Sequence, residues 1–152
     1  MIILKSPEEI EKLTKSCKIV AEKLEYLRSK IKPGITTKDI ELLAETYIRE
    51  RDAIPAFKGY RGFPGSICAS VNEEVIHGIP SDRMLLKGDI IGIDLGVYKD
   101  GFYGDAAYTF PVGQITSDRA KLLRISEEAL YKGIEHAREG NRISDISHAI
   151  QS

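Results

Sequence analysis

The spacing of apolar and polar positions divides the chain into helical and extended segments. Ser6-Pro7-Glu8-Glu9 can cap and start a helix, and "KPG" at 32–34 can end it. A second helix is predicted from Thr36-Thr37 to about Arg51. Apolar residues recur at helical spacing along the first of these helices. Its predicted buried face consists of Ile10, Leu13, Cys17, Val20, Ala21, Leu24, Leu27 and Ile31.

Extended segments occupy the middle of the chain. They follow "PAFKGYRGFPG" (55–65), which we call the aromatic loop because it holds three aromatic residues among three Gly and two Pro. The last two segments flank Asp100-Gly101, a pair typical of tight hairpin turns. The predicted segments are "SICASVN" (66–72), a short strand or turn in "EEVIHGIPSD" (73–82), "DIIGIDLGVYK" (89–99) and "FYGDAAYTFPV" (102–112).

A helix–Gly–helix pattern occurs twice in the chain. A third helix is predicted over about 118–138 and a fourth from about Ser144. Shifted by 106 positions, "PGITTKDI" (33–40) lies over "EGNRISDI" (139–146). The pattern predicts a fold of two similar halves, with a first half at 1–113 and the opening helices of a second at 117–152. The remainder of that second half is expected to be absent from this chain.

Composition and charge exclude several classes of protein. The 152 residues carry a formal net charge of −1 with charges of both signs spread throughout, so neither a basic nucleic-acid surface nor an acidic tail is indicated. No apolar run approaches the roughly 18 residues that span a membrane, and the N-terminus lacks a secretion signal. Cys17 and Cys68 show no metal-binding spacing. A cytoplasmic protein with reduced cysteines is therefore expected.

Asp94 and Asp105 stand inside the two apolar segments that flank the predicted hairpin turn. If Lys99-Asp100 form the turn, the two aspartates lie directly opposite each other; if Asp100-Gly101 form it, they are diagonal neighbours. Either two-residue turn places both side chains on one face of the sheet. A three-residue turn without a bulge would place them on opposite faces.

Three arrangements are open for these two carboxylates. They can face solvent on an edge hairpin, share one proton as an acid/base pair, or hold a cation between them. The nearly continuous apolar run from Ile90 to Val97 is typical of a buried strand and disfavours the solvent-facing arrangement.

Several motifs of the sequence resemble the methionine aminopeptidases, in particular their type I form. The resemblance covers essentially the whole chain. It implies an α/β (α+β) pita-bread fold, of which this chain would hold the first half and the opening helices of the second. It also implies removal of the N-terminal methionine from nascent polypeptides by water activated by two metal ions. The stretches are "IKPGITTKDIELLAETYI" (31–48), "AFKGYRGFPGSICASVNEEVIHGIP" (56–80), "NEEVIHGIP" (72–80) and "GDIIGIDLGVYKDGFYGDAAYTFPVG" (88–113).

The resemblance also assigns roles to individual residues. Asp94 is implied to hold one cation and Asp105 to bridge two, and the cations are Co2+, Mn2+, Fe2+ or Zn2+. His77 is implied to be the catalytic histidine that positions the scissile amide and its leaving nitrogen. The implied partners are the N-termini of Met-peptides on nascent chains and the ribosome, with no nucleic acid or membrane. The residues implied to line the methionine pocket are Phe57, Tyr60, Phe63 and Cys68.

The sequence departs from the family pattern after Asp105. The family's site uses two aspartates, one histidine and two glutamates, and no "GHGIG"-like or "EP" segment follows Asp105 to supply the last three. Weak metal binding and little peptidase activity are therefore expected of this chain alone. Two alternatives stay open: a non-catalytic pita-bread module that binds partners, or an engineered half-fold that self-associates. The complete enzyme is expected to be a monomer.

Overall fold

The computed structural model describes residues 3–152, which form two compact units. The first unit ends at Gln114, and the second is Ile115–Ser152. A 3-10 turn, Tyr60–Gly62, lies in the aromatic loop. The helices are α1 (Pro7–Arg28), α2 (Thr37–Arg49), α3 (Ser117–His136) and α4 (Ile143–Gln151); the strands are β1 (Ile54–Pro55), β2 (Cys68–Val71), β3 (Ile90–Lys99) and β4 (Phe102–Pro111).

One antiparallel sheet is built around β3. Strand β4 pairs with one edge of β3, while β1 and β2 pair with successive parts of the other edge. Lys99 is paired with Phe102, so Asp100 and Gly101 form the hairpin turn, and both have positive φ, 51° and 88°. This is the second of the two turns predicted from the sequence. Asp and Gly suit it because they tolerate the left-handed conformation better than other residues.

The core lies on one face of β3. Ile91, Ile93, Leu95 and Val97 are each 0% exposed and join one cluster with apolar residues of α1, α2 and β2. Because side chains alternate along a strand, the even-numbered residues of β3 point to the opposite face of the sheet. Asp94 belongs to that second face.

The predicted buried face of α1 is partly wrong. The helix buries Ser16, Ile19, Val20, Lys23 and Leu27, whereas Ile10, Ala21 and Cys17 are exposed. The cause is a close approach between α1 and β4.

Gly104 allows this close approach. A Cβ atom at Gly104 would stand 2.5 Å from the carbonyl carbon of Ser16 and 2.6 Å from the nitrogen of Cys17. The Ser16 hydroxyl also donates to the Phe102 carbonyl over 3.0 Å. These contacts fix the rotation of α1 about its axis, so that Ser16 faces the sheet and Cys17 faces away from it.

The second unit consists of α3 and α4. The two helices pack closely at Gly133, where a Cβ atom would lie 2.8 Å from Cγ1 of Ile150. Gly140, in the connection, has φ 88°, and Asp145 accepts from the backbone N–H of Arg142 at the start of α4. The division of the chain into repeated halves at 1–113 and 117–152 stays a prediction. In the part of the chain that the structure describes, no helix combines the length and the apolarity that crossing a membrane requires.

Candidate metal centre

Asp94 and Asp105 lie on the face of the sheet opposite the core. Asp94 is paired with Ala107 and Asp105 with Gly96, so the two aspartates are diagonal neighbours on one face. Burial, the charge of Asp105 and a hydrogen bond between the two carboxyl groups raise the pKa of Asp94 to about 6. Two negative charges therefore oppose each other here, and a bound proton or cation would relieve the repulsion.

Cys68 adjoins the carboxylates from β2. It is paired with Asp94 across the sheet and is 4% exposed. Burial, together with the charges of Asp94 and Asp105, raises the pKa of the Cys68 thiol to about 11. Cys68 is therefore a neutral thiol in this structure at physiological pH, which suits a pocket wall better than a nucleophile.

His77 reaches this site from an irregular segment. The stretch 73–82, for which a short strand or a turn was predicted, contains no strand. Gly78 lies so close to β2 that a Cβ atom there would stand 2.3 Å from the Ala69 carbonyl oxygen, and its own carbonyl accepts from the Ala69 N–H. The Gly78 N–H donates to the Ser70 hydroxyl over 3.1 Å.

These contacts hold His77 in a left-handed backbone conformation, with φ 58°. Its side chain is exposed, yet it is near enough to Asp94 to oppose the rise in the pKa of that carboxyl group. A non-glycine residue with positive φ is uncommon and is found disproportionately at functional sites.

The aromatic loop contributes one ring to the carboxylate face. A Cβ atom on Gly96 would lie 2.6 Å from Cε1 of Phe57, so the Phe57 ring covers this glycine, which is the partner of Asp105 in the sheet. Tyr60 lies in the 3-10 turn and is 63% exposed. Phe63 is half-buried, and its ring lies 3.2 Å from the Cβ position of Gly65.

The residues that support this loop carry no recognisable sequence signal. Glu41 and Glu45 of α2 accept hydrogen bonds from the buried Ser66. Two glutamates four residues apart on a helix are typical of a solvated surface, so no sequence pattern indicated this role.

The donors present suit a divalent cation, but they form an incomplete site. Carboxylate oxygens are suitable ligands for divalent cations, and Asp94 and Asp105 place theirs on one face of the sheet. Within residues 3–152, no group of three or more His, Cys, Asp or Glu side chains is arranged to hold a metal ion. The site therefore fits the carboxylate-bridged part of a metal centre.

The fold and the paired carboxylates together indicate a metal-dependent hydrolase. The profile of Metallopeptidase family M24 matches residues 11–152, and the chain belongs to this family. Divalent metal cofactors are implied by membership of the family.

Methionine aminopeptidase 1 of Bacillus subtilis is 53% identical over 152 residues, which are 100% of this chain and 61% of that protein. The crystal structure of methionine aminopeptidase from Rickettsia prowazekii superposes with a TM-score of 0.97 at 39% identity, covering 99% of this chain and 61% of that one. This chain therefore spans about three fifths of the length of these relatives.

The pita-bread fold predicted from the sequence is confirmed by these structural similarities. The fold extends beyond the methionine aminopeptidases. Prolidase from Pyrococcus furiosus superposes with a TM-score of 0.85 over 98% of this chain and 43% of its own, at 22% identity. At that level of identity only the architecture is shared.

Proposed function

We propose that this chain contributes the aspartate part of a two-cation centre that removes the N-terminal methionine from newly made polypeptides. The observation that carries the proposal is the diagonal placement of Asp94 and Asp105 on the face of the sheet opposite the hydrophobic core. The proposal is further supported by the 53% identity between this chain and a methionine aminopeptidase. The complete reaction requires ligands that this chain does not contain, and we expect the 152-residue chain alone to have little peptidase activity.

In this proposal Asp94 and Asp105 would be the residues that hold the cations. Divalent cations bound there would lower the pKa of a water molecule and would stabilise negative charge on the peptide carbonyl oxygen. Co2+, Mn2+, Fe2+ and Zn2+ all accept carboxylate and imidazole ligands.

His77 and the aromatic loop bind the substrate in this proposal. His77 is exposed beside the carboxylates and can donate a hydrogen bond to the scissile amide and to its leaving nitrogen. The methionine side chain lies in a pocket lined by Phe57, Tyr60, Phe63 and Cys68. The aromatic rings suit an unbranched thioether because sulfur–aromatic contacts are favourable. A cytoplasmic location, contact with the ribosome and self-association of the chain stay predictions.

Mn2+ binding to the purified chain tests the metal centre. We expect weak binding that both Asp94→Asn and Asp105→Asn reduce about tenfold or more, because each removes one of two anionic ligands (a tenfold loss corresponds to roughly 1.4 kcal/mol). Electron paramagnetic resonance of free Mn2+ measures the bound fraction. Since a ligand that binds only the folded chain stabilises it, Mn2+ should also raise the Tm of the wild type more than that of either variant.

Asp100→Asn is the matched control. Asp100 is an exposed aspartate in the turn of the same hairpin, with φ 51°, a conformation that Asn also adopts. The substitution removes an equal charge without touching the carboxylate pair. Equal Mn2+ affinity in the wild type, Asp94→Asn and Asp105→Asn would refute the metal centre, as would an equal loss in Asp100→Asn.

A further inference from the structure

Two glutamates of α2 bind both polar donors of Ser66. The Ser66 backbone N–H donates to Oε1 of Glu41 over 2.7 Å, and the Ser66 hydroxyl donates to Oε2 of Glu45. Ser66 is 0% exposed, so water cannot replace either acceptor. Ser66 directly follows the aromatic loop, and β2 begins two residues later at Cys68.

Glu45 also forms an ion pair with Lys58 of the aromatic loop. Its Oε2 accepts from Nζ of Lys58 over 2.7 Å, while Oε1 accepts from Arg49 of the same helix, also over 2.7 Å. The Glu45 side chain is 18% exposed, and hydrogen bonds from Lys58 and Ser66 lower the pKa of its carboxyl group to about 2. Glu45 is therefore ionised at neutral pH, with both oxygens occupied by donors.

The backbone of the aromatic loop connects Lys58 to the carboxylate face of the sheet. Phe57 immediately precedes Lys58 and packs on Gly96, the partner of Asp105. On the other side of Lys58, the Gly59 N–H donates to the Phe63 carbonyl over 2.8 Å and closes the tip of the loop. Lys58 is therefore linked through the backbone of the loop to both phenylalanines.

We propose that Glu45 is a positioning residue that fixes the aromatic loop against the sheet and sets the distance of Phe57 and Phe63 from the Asp94–Asp105 pair. Glu45 acts through Lys58 and Ser66. The consequence for specificity rests on the proposed function: if the loop lines the methionine pocket, Glu45 determines the width of that pocket.

Fluorine NMR of the chain labelled with 4-fluorophenylalanine tests the positioning role. The chain has four phenylalanines, which single Phe→Leu substitutions assign: Phe57 and Phe63 in the loop, Phe102 and Phe110 on β4. In Glu45→Gln an NH2 group replaces one of the two carboxylate oxygens. It then faces the donors from which that oxygen accepted hydrogen bonds, and those bonds are lost. We expect the two loop signals to shift or broaden and the two β4 signals to stay in place.

Limited trypsin cleavage after Arg61 gives a second measure. Arg61 lies in the 3-10 turn of the loop, so its cleavage reports local opening. We expect about tenfold faster cleavage in Glu45→Gln, because charge-assisted hydrogen bonds that hold the loop are lost. Lys58→Met, which changes an exposed side chain, removes the same ion pair from the loop side and should shift the Phe57 signal from its wild-type position even if Glu45→Gln does not fold.

Glu11→Gln serves as the control. It breaks an exposed ion pair with Lys15 on α1, at 3.1 Å, away from the loop. The positioning role is overturned if Glu45→Gln leaves all four fluorine signals unchanged, moves all four together, or behaves as Glu11→Gln does. These measurements need neither metal nor substrate. The positioning role of Glu45 can therefore be confirmed or refuted whatever the outcome of the Mn2+ experiment.

Discussion

Gly104→Ala is expected to destabilise the chain by roughly 3 kcal/mol or more. The added methyl group would stand 2.5 Å from the Ser16 carbonyl carbon and 2.6 Å from the Cys17 nitrogen, and both contacts are with helix backbone rather than with a movable side chain. Either α1 must move away from β4 or the strand must bend. Urea denaturation followed by circular dichroism measures the loss.

Gly92→Ala is the matched control for Gly104→Ala. It measures the effect of replacing a strand glycine by alanine where no neighbouring atom is crowded. Gly92 lies within β3, and a Cβ atom there would have its nearest neighbour at 3.7 Å, an ordinary contact. Gly92→Ala should therefore be neutral or stabilise slightly, by up to about 1 kcal/mol. Similar free energies of unfolding for the two alanine variants would contradict the close approach of α1 at Gly104.

Lys23→Met is expected to stabilise the chain by about 1–3 kcal/mol at pH 7. Lys23 is 0% exposed, and its ammonium donates to the Leu43 carbonyl over 2.6 Å. Burial, followed by the charge of Arg51, lowers the pKa of Lys23 to about 8. Methionine removes the buried charge at nearly the same length but gives up the contacts with the rings of Tyr26 and Tyr47, at 4.1 and 4.9 Å.

The effect of Lys23 depends on pH with a defined sign. Between about pH 8 and pH 10.5, the unfolded chain retains the Lys23 proton that the folded chain has lost. The stability of the wild type should therefore rise with pH across this window and fall as pH is lowered through 8. Glu50 opposes the lowering of the pKa, while Lys30 and Arg51 add to it. The advantage of Lys23→Met should shrink correspondingly between pH 8 and 10.5.

Lys15→Met is the matched control for this pH dependence. Lys15 lies on the same helix with a side chain that is 53% exposed and pairs with Glu11 over 3.1 Å. It should change stability little, as is usual for exposed pairs. A stability difference between the wild type and Lys23→Met that stays constant from pH 7 to 10.5 would show that Lys23 is not titrating in the folded chain.

Local signals made the secondary structure and the shared face of the two aspartates predictable. The capping box of Ser6 and Glu9 started α1 where expected, and Thr36 with Asp39 did the same for α2. Asp100-Gly101 formed the turn that sets the register of the hairpin. These signals depend on residues within a few positions of one another, so the sequence carries them without tertiary context. The shared face of Asp94 and Asp105 follows from that register.

Contacts between distant segments decided the rest. The apolar spacing on α1 predicted a buried Cys17, but the contact with Gly104 turned the helix so that Lys23 was buried instead. The left-handed backbone at His77 depends on the approach of Gly78 to β2, which no local pattern encodes.

The sequence by itself determined where the helices begin and that a tight hairpin turn lies at or next to Asp100, because each depends on neighbours in the chain. The tertiary structure decided the rotation of α1, the placement of His77 and the attachment of the aromatic loop to Glu45. Those features depend on close packing between segments far apart in sequence, and periodicity gives the spacing within one element but not the partner it meets.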